Sequence, residues 1–306
     1  MRCTVGSGVG RGDVHAPLLF VAHGYSSSAQ NIMNYSGFNS LADQYKFAVC
    51  YPEGTSDNWG NNFWNVGYLF TSTSNVDDVG YLTSLAQHLQ NSYNLSSQNT
   101  FVTGMSNGAE LCYLIACENP GVFKAYAPVA GTLFTDGLTN NQCYSQPTPI
   151  FEIHGANDNV TLFNGDLNDQ FWGPYLSVDS LMNYWSSLSG LYDLNIDTLP
   201  NLNNNNKFTV SYKYSSLNSN NEVWLYKHLD GHSWFVDDIT VEQEIWDFFT
   251  KYISSNVSLF GSVNKPKSRK LIKIINVLGQ QSTLQSNQVL LYLYDDGFVR
   301  KLIHVK

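Results

Sequence analysis

The sequence feature that most constrains the fold is a Gly-x-Ser-x-Gly pentapeptide, Gly104-Met-Ser-Asn-Gly108. A short β-rich run at residues 100–103 leads into it, and a helix-compatible run at 109–117 follows directly. The two glycines let the backbone turn sharply and let the strand and the helix pack closely. A Gly-Ser-Gly turn without such flanking elements is more often a simple turn than a catalytic site. In this strand–turn–helix context, however, the motif predicts a nucleophilic Ser106 with its hydroxyl exposed at the tip.

Strand-like and helix-like patterns alternate along the rest of the chain. Continuous apolar or β-rich runs, typical of buried strands, occur at 17–23, 46–51, 123–129, 149–154 and 222–228. Helical patterns occur at 29–44, 77–93, 175–188 and 241–252. Asn-rich segments at 199–207 and 217–221 are predicted to be polar surface loops. The alternation predicts an α/β fold with a mostly parallel sheet flanked by helices.

The chain changes character near residue 257. A basic linker at 265–270 precedes three predicted strands at 271–278, 289–294 and 298–305. Asp295-Asp-Gly297 between the last two strands is predicted to be a hairpin turn. We therefore expect an α/β domain at residues 1–256, and a linker with a small β-rich domain at 257–306.

Composition and charge exclude several classes of protein. The net charge is −9 and only 13% of residues are charged, so no basic surface for nucleic acid is expected. No apolar run reaches the ~18 residues that a membrane span needs. The five cysteines form no Cys-x-x-Cys pair, so no zinc or redox site is predicted, and Cys117–Cys143 is a plausible disulfide.

The N-terminus lacks the apolar segment of a signal peptide, and yet the polar, weakly charged composition is common in exported proteins. We expect an extracellular or cell-surface protein whose export signal, with some first strands, is missing from this chain. A cytosolic protein is the alternative.

A nucleophilic serine needs a base, and the base needs an orienting acid. In an α/β-hydrolase, the acid and then the base follow the serine along the chain, each in a loop at the carboxyl end of a strand. Asp158 lies in the loop after the strand at 149–154, where it is the only carboxylate. His232 lies in the loop after the strand at 222–228. The predicted triad is therefore Ser106, Asp158 and His232.

Other histidines and aspartates compete for these roles. His154 is predicted to be a hydrogen-bonded structural residue at the end of its strand. His228 lies inside a strand, where its side chain is expected to be fixed. His88 and Asp179 are predicted to lie on helices, and Asp230 in a turn.

Residues close to the predicted triad are candidates for stabilising an oxyanion and for binding substrate. The backbone N–H of Asn107, directly after the nucleophile, and that of Tyr25, after the first apolar strand, are expected to form the oxyanion hole. Trp59, Trp64 and Trp234 could form a stacking platform for an aromatic acyl group, a sugar or a polymer face. The alternative is that one or two of these tryptophans only fill the core.

Taken together, several motifs resemble the polyhydroxybutyrate-depolymerase/feruloyl-esterase family of secreted α/β-hydrolases, over about residues 17–253. The motifs are His23-Gly-Tyr25, Phe63-Trp-Asn65, Asp77-Asp-Val-Gly80, Gly104-Met-Ser-Asn-Gly108, Leu114-Ile-Ala-Cys117, His154-Gly-Ala-Asn-Asp158 and Asp230-Gly-His-Ser-Trp234. The resemblance implies the Ser106–Asp158–His232 triad and ester hydrolysis without a metal or cofactor.

The chain departs from the family pattern at three places. Only a glycine-rich stub precedes the strand at 17–23, where the family has further strands. Asn157 replaces a small residue before the acid, and Phe235 replaces a proline after the His-Ser-Trp motif, so the rim of the pocket is expected to differ. The tail at 270–300 resembles C-terminal secretion domains of Bacteroidota, and a small β accessory module is the alternative.

These observations predict a secreted, monomeric serine carboxylesterase of the feruloyl or acetyl polysaccharide type, acting on an ester that can be polymeric. One alternative is a polyester depolymerase acting on polyhydroxyalkanoate or an aromatic polyester. A serine peptidase is a further alternative, although no peptide-specific pocket is recognisable. A catalytically inactive polysaccharide-binding module is an alternative of another class.

Overall fold

A computed structural model describes residues 2–5, 15–135, 143, 146–201, 203, 205–254, 271–276, 280–283, 289–294 and 299–304. Its strands are β1 (Arg2–Val5), β2 (Leu18–Ala22), β3 (Ala48–Tyr51), β4 (Thr55–Ser56), β5 (Asn62–Phe63), β6 (Thr100–Met105), β7 (Tyr126–Val129), β8 (Ile150–Gly155), β9 (Asp193–Thr198), β10 (Thr209–Ser215), β11 (Val223–His228), β12 (Leu271–Asn276), β13 (Val289–Tyr294) and β14 (Val299–His304). Its α-helices are α1 (Ala29–Tyr35), α2 (Phe38–Tyr45), α3 (Asp78–Tyr93), α4 (Asn107–Glu118), α5 (Val178–Leu188) and α6 (Val241–Thr250). None of these helices is both long and apolar enough to cross a bilayer.

One twisted sheet organises the described part of the chain, in the order β1-β3-β2-β6-β7-β8-β11-β10-β9-β14-β13-β12. The central strands, from β3 to β11, are all parallel. The outer strands on both sides pair antiparallel. This architecture confirms the predicted α/β-hydrolase fold. The carboxyl ends of β2, β6, β8 and β11 meet at one edge of the sheet, so the loops that follow them converge there.

The two faces of the sheet carry separate cores, which explains why its central strands are continuously apolar. In β2, Leu18, Phe20 and Ala22 pack on one face while Leu19 and Val21 pack on the other. Helices α3, α4 and α5 cover the first face, and α1, α2 and α6 cover the second. Asp77 caps α3, since its side chain accepts a hydrogen bond from the N–H of Gly80.

Four local predictions need correction. The helical pattern at 29–44 is two helices, because the chain turns at Gly37 with a φ of 76°. Strands β9 and β10 were not predicted. Most of the side chains in β9 and β10 are only half-buried or exposed, so their sequences are polar and lack the apolar signature of a core strand. The strand predicted at 123–129 begins only at Tyr126. A strand, β1, precedes β2 and pairs antiparallel with β3, so the expectation that only a stub precedes β2 is wrong.

The predicted tail strands form an antiparallel group, with β13 between β12 and β14. The last strand, β14, meets β9 through the pairs Ile303–Leu194 and His304–Asp193. The linker at 265–270 and the turn at 295–297 lie outside the described residues. Elsewhere in the chain, Cys117 at the end of α4 forms the predicted disulfide with Cys143.

Candidate active site

Ser106 lies at the turn between β6 and α4. Its φ of 56° and ψ of −120° lie outside the regions that non-glycine residues ordinarily occupy, which is the strained geometry of a nucleophile elbow. The backbone N–H of Ser106 donates to the carbonyl of Val129 in β7, at 2.9 Å. This bond helps to hold the strained turn, and the Ser106 side chain reaches the wall of a cavity.

The glycines on either side of the serine are required by close packing, as predicted. A Cβ at Gly104 would lie 2.6 Å from the carbonyl carbon and oxygen of Gly108. A Cβ at Gly108 would lie 2.3 Å from the carbonyl oxygen of Ala22 in β2. Any side chain at either position would therefore push α4 away from β6 or β2, and the serine would move with it.

Asp158 and His232 are hydrogen-bonded at the same edge of the sheet. His232 Nδ1 lies 2.7 Å from Asp158 Oδ2, and the other carboxylate oxygen accepts from the N–H groups of Val160 and Thr161 at 2.8 and 2.9 Å. Although burial favours the neutral acid, the hydrogen bond and charge of His232 lower the pKa of Asp158 below its ordinary value. An ionised Asp158 requires a proton on Nδ1 of His232, which leaves Nε2 to act as the base.

Ser106 and His232 line the same cavity, which has a volume of about 220 Å³. The remaining lining residues are mostly aromatic or apolar: Tyr25, Tyr68, Glu110, Thr132, Phe134, Val160, Thr161, Trp172 and Tyr175. The structure therefore brings the three predicted triad residues to one site, two in the cavity wall and Asp158 buried behind His232.

The predicted oxyanion-hole residues flank the serine. A Cβ at Gly24 would lie 3.4 Å from the Cβ of Ser106, so the loop that carries Tyr25 runs directly beside the nucleophile. Asn107 is the first residue of α4, and its backbone N–H has no partner within the helix. The Asn107 side chain is hydrogen-bonded to the backbone of Trp64. Its oxygen accepts from the Trp64 backbone N–H at 2.6 Å, and its amide nitrogen donates to the Trp64 carbonyl at 3.0 Å.

The three predicted substrate-binding tryptophans occupy different environments. Trp59 is 62% exposed. Trp64 is 0% exposed and donates its indole N–H to the carbonyl of His23 at 2.8 Å. Trp234 is 2% exposed and packs against Tyr35 and Phe38. The prediction is wrong for Trp64 and Trp234, because neither has a face that a ligand could stack on.

Trp59 belongs instead to an aromatic ridge, which we define as Trp59, Phe70 and Phe171. The ring of Phe171 stacks on Phe70 with centroids 4.8 Å apart, and Trp59 lies 5.2 Å from Phe70. Trp59 and Phe171 are both largely exposed. Phe70 also contacts Tyr25 and Trp172 of the cavity wall, so the ridge continues outward from the cavity.

Two of the competing histidines, His154 and His228, are buried and hydrogen-bonded, which fits the roles expected for them. His154 is fully buried, with Nδ1 2.8 Å from Glu152 Oε1 and Nε2 2.8 Å from the carbonyl of Thr161. Burial opposes a charge on His154, yet the hydrogen bond and charge of Glu152 raise its pKa above the ordinary value. His228 is also buried, and its Nδ1 accepts from the N–H of Asp230.

The sequence analysis missed a hydrogen-bonded pair of residues in the cavity, Glu110 and Tyr68. Glu110 is 5% exposed, and its Oε2 accepts hydrogen bonds from the Tyr68 hydroxyl at 2.5 Å and from the Asn107 amide at 3.5 Å. Burial raises the pKa of Glu110 to about 7. Helical spacing could have identified it, since residues i and i+3 share a helix face and Glu110 lies three positions after Asn107, the first residue of α4. No comparable signal marks Tyr68.

Comparison with known proteins relates the chain to esterases and depolymerases. A family model described as Esterase PHB depolymerase matches residues 8–145. The chain is 26% identical over 260 residues to a bifunctional acetylxylan esterase/xylanase of Neocallimastix patriciarum, which covers 81% of the chain and 33% of the relative. It is 25% identical over 183 residues to feruloyl esterase B of Piromyces equi, a match that covers 58% of this chain and 33% of the relative. It is also 28% identical over 117 residues to a poly(3-hydroxyalkanoate) depolymerase of Paucimonas lemoignei, with 38% and 28% covered. The chain thus spans about a third of these relatives.

Solved structures show the same fold. An acetyl xylan esterase from Aspergillus awamori superposes with a TM-score of 0.56 at 18% identity, covering 81% of this chain and 93% of that one. A Bacillus cereus carboxylesterase superposes with a TM-score of 0.53 at 12% identity, covering 83% and 95%. The chain therefore shares the α/β-hydrolase fold of these esterases.

Proposed function

We propose that this chain is a serine carboxylesterase that works through an acyl-enzyme. The observation that carries the proposal is the 2.7 Å hydrogen bond between His232 Nδ1 and Asp158, with His232 and the strained Ser106 in the wall of one cavity. The similarity to feruloyl esterases, acetylxylan esterases and polyhydroxyalkanoate depolymerases supports the same reaction class.

In the proposed acylation step, Ser106 Oγ attacks the carbonyl carbon of the ester and His232 Nε2 takes the hydroxyl proton. The negative charge on the former carbonyl oxygen is stabilised by the backbone N–H groups of Tyr25 and Asn107. Asp158 holds the Nδ1 proton of His232 and stabilises the imidazolium. The tetrahedral intermediate then expels the alcohol, which receives the proton from His232.

Deacylation repeats these steps with water as the nucleophile. Water gives a proton to His232 Nε2 and attacks the acyl carbon. In the second tetrahedral intermediate the bond between the acyl carbon and Ser106 Oγ then breaks, and His232 returns the proton to Ser106 Oγ as the acid leaves. Each cycle consumes one ester and one water, and it releases one alcohol and one acid.

The substrate that we propose is an ester on a polysaccharide, of the feruloyl or acetyl type. The small aromatic cavity fits a planar or short acyl group, and the exposed aromatic ridge beside it provides flat surfaces on which sugar rings stack. The same ridge favours a second candidate, a polyester depolymerase, because a polyester chain also presents apolar surface. Release of ferulate or acetate from xylan, against the clearing of a polyhydroxybutyrate film, separates the two.

Export is the second part of the proposal. The disulfide between Cys117 and Cys143 supports an oxidising compartment, since such bonds persist mainly outside the cytosol. The antiparallel strands β12–β14 would belong to a secretion domain at 257–306. This role can be tested by fusing residues 257–306 to a carrier protein. In a host whose secretion system recognises the segment, the carrier should then be secreted.

The direct test of the esterase proposal is Ser106→Ala, assayed on p-nitrophenyl acetate. We expect kcat to fall on the order of a millionfold, as removal of such a nucleophile does elsewhere. Ser84→Ala, on the exposed face of α3, is the matched control and should leave kcat unchanged. Near-normal turnover by Ser106→Ala would refute the assignment, and an inactive wild-type protein would favour the polysaccharide-binding module.

A further inference from the structure

One buried carboxyl group of the cavity has no part in the mechanism above. Glu110 lines the cavity together with Ser106, and both hydrogen bonds that its carboxyl accepts within the described residues go to Oε2. None of these hydrogen bonds reaches Oε1, and the ion pairs of the described residues do not include Glu110. A second acceptor oxygen therefore remains for a partner in the cavity.

Glu110 lies close to the reacting centre. It is in the first turn of α4, directly after the turn that carries Ser106, and both residues line the same cavity. Side chains in a helix lean toward its N-terminus, so the side chain of Glu110 leans toward Ser106. The Tyr68 hydroxyl donates a hydrogen bond to Oε2 and so holds the carboxyl in place.

A buried carboxyl group is costly to keep without a purpose. Its desolvation is only partly offset by two hydrogen bonds, and the charge of Glu152 adds to the cost. Most of the cavity lining is aromatic or apolar, so leucine or methionine at position 110 would complete an apolar pocket. The carboxyl is therefore best explained by a ligand hydroxyl that hydrogen-bonds to it, as donor to the carboxylate or as acceptor from the neutral acid.

We propose that Glu110, positioned by Tyr68, forms a polar subsite that binds a substrate hydroxyl a few bonds from the scissile ester. Two kinds of ester carry such a hydroxyl: a 3-hydroxyacyl ester carries it on the acyl side, and a sugar ester carries it on the carbon next to the esterified one. Both present the same hydroxyl to Glu110. This inference rests on the proposed esterase activity and narrows its substrate class.

The size of the effect follows from the cost of an unmatched polar group. A site that hydrogen-bonds a substrate hydroxyl rejects the analogue that lacks it, because the buried polar group is then left without its partner. We expect the kcat/KM of a hydroxylated ester to exceed that of its deoxy analogue by about tenfold or more.

The experiment measures this ratio in two arms. The acyl arm compares p-nitrophenyl 3-hydroxybutyrate with p-nitrophenyl butyrate, and the alcohol arm compares trans-2-hydroxycyclohexyl acetate with cyclohexyl acetate. The proteins are the wild type, Glu110→Gln, Glu110→Met and the matched control Glu118→Gln, which lies on the exposed face of the same helix. Glu110→Gln keeps the size of the side chain and an acceptor for Tyr68, so it remains informative if Glu110→Met does not fold.

The inference predicts that the wild type and Glu118→Gln prefer the hydroxylated ester in at least one arm, and that this arm identifies the source of the hydroxyl. It also predicts that both Glu110 variants lose about fivefold or more of that preference. The subsite would be overturned if the wild type hydrolysed the hydroxylated ester and its deoxy analogue with kcat/KM values within about twofold of each other in both arms. It would also be overturned if Glu110→Gln kept the preference of the wild type. If the wild type hydrolyses none of the four esters, the esterase proposal itself fails.

Discussion

At the scale of single residues, the proposed chemistry depends on where protons are held. Asp158 is buried, and three donors surround its carboxylate: His232 and the N–H groups of Val160 and Thr161. This environment keeps the carboxylate ionised and the imidazole in one tautomer. A neutral residue of the same shape would keep the packing and lose the charge.

Asp158→Asn should therefore lower kcat by about 10⁴-fold with little change in fold, because the amide no longer selects the tautomer of His232 that leaves Nε2 as the base. The measurement is kcat on p-nitrophenyl acetate. Asp230→Asn, in the same loop as His232, is the control and should retain activity within a fewfold. A loss of less than tenfold in Asp158→Asn would contradict the assignment of the acid.

Glu110 provides a prediction about pH. Its pKa of about 7 in the folded protein lies above the 4.5 of an exposed glutamate, so the folded state favours the protonated form. The resulting stabilisation is fully present below pH 4.5 and is lost as the pH rises through about 7. The Glu110→Gln variant lacks this pH-dependent stabilisation. Between pH 5 and pH 8, the wild type should lose about 2–3 kcal/mol more of its unfolding free energy than the variant does.

Urea unfolding at the two pH values measures this difference, and other carboxyl groups cancel because they titrate in both proteins. Parallel pH dependences of the wild type and the variant would show that Glu110 is not held in its neutral form.

The residues of the site differ in how far the sequence could predict them. Ser106, Asp158 and His232 followed from their order along the chain and from the strand ends, which are local signals. Burial of a tryptophan depends on what packs against it. Trp64 is covered because its indole N–H reaches the carbonyl of His23, and Trp234 because Tyr35 and Phe38 enclose it. Neither contact has a signature in the sequence.

At the scale of elements, the close packing of α4 on the sheet decides the position of the serine. The helix is brought against β2 and β6 by Gly108 and Gly104, which leave no space for a side chain. The helix axis, the strained turn and the N–H of Asn107 thus depend on the same contact.

Gly108→Ala should destabilise the protein by about 1–3 kcal/mol, because its methyl carbon would overlap the carbonyl oxygens of Ala22 and His23, at 2.3 and 2.7 Å. The matched control is Gly121→Ala, where no atom lies within 4 Å of the new Cβ. Chemical denaturation measures both. Equal stability of the two variants would mean that α4 can move away from β2 without cost, contrary to this account.

Most elements of the parallel region were predictable, because strands buried on both faces are apolar throughout and helices carry caps such as Asp77. The antiparallel pair of β9 and β10 could not be predicted in this way. Its residues pair with each other across the strands and only a few are buried, so hydrogen bonding and not the hydrophobic pattern defines it.

At the scale of the whole molecule, the disulfide is the covalent constraint that the structure describes within the hydrolase core. Cys117 lies in the last turn of α4, the helix that begins at the catalytic turn, and Cys143 precedes β8, the strand whose following loop carries Asp158. The closed loop spans 26 residues of sequence separation. The sequence suggested this pair, but only coordinates could show that the two side chains meet.

Replacing both residues, Cys117→Ala with Cys143→Ala, should lower the unfolding free energy by about 3 kcal/mol, since the unfolded chain regains the entropy of an open loop. Thermal unfolding with and without dithiothreitol measures this effect. The reductant should lower the Tm of the wild type and leave that of the double variant unchanged. A wild-type Tm that does not respond to reduction, matched by an equally stable double variant, would count against a stabilising disulfide.

The central claim is that Ser106 becomes covalently acylated with the help of His232 and Asp158. The most direct measurement is intact-mass spectrometry after treatment with a fluorophosphonate, followed by peptide mapping. The account predicts one adduct on Ser106, no adduct in Ser106→Ala and much slower labelling in Asp158→Asn. An unlabelled wild-type protein, or an adduct that persists in Ser106→Ala, would contradict it.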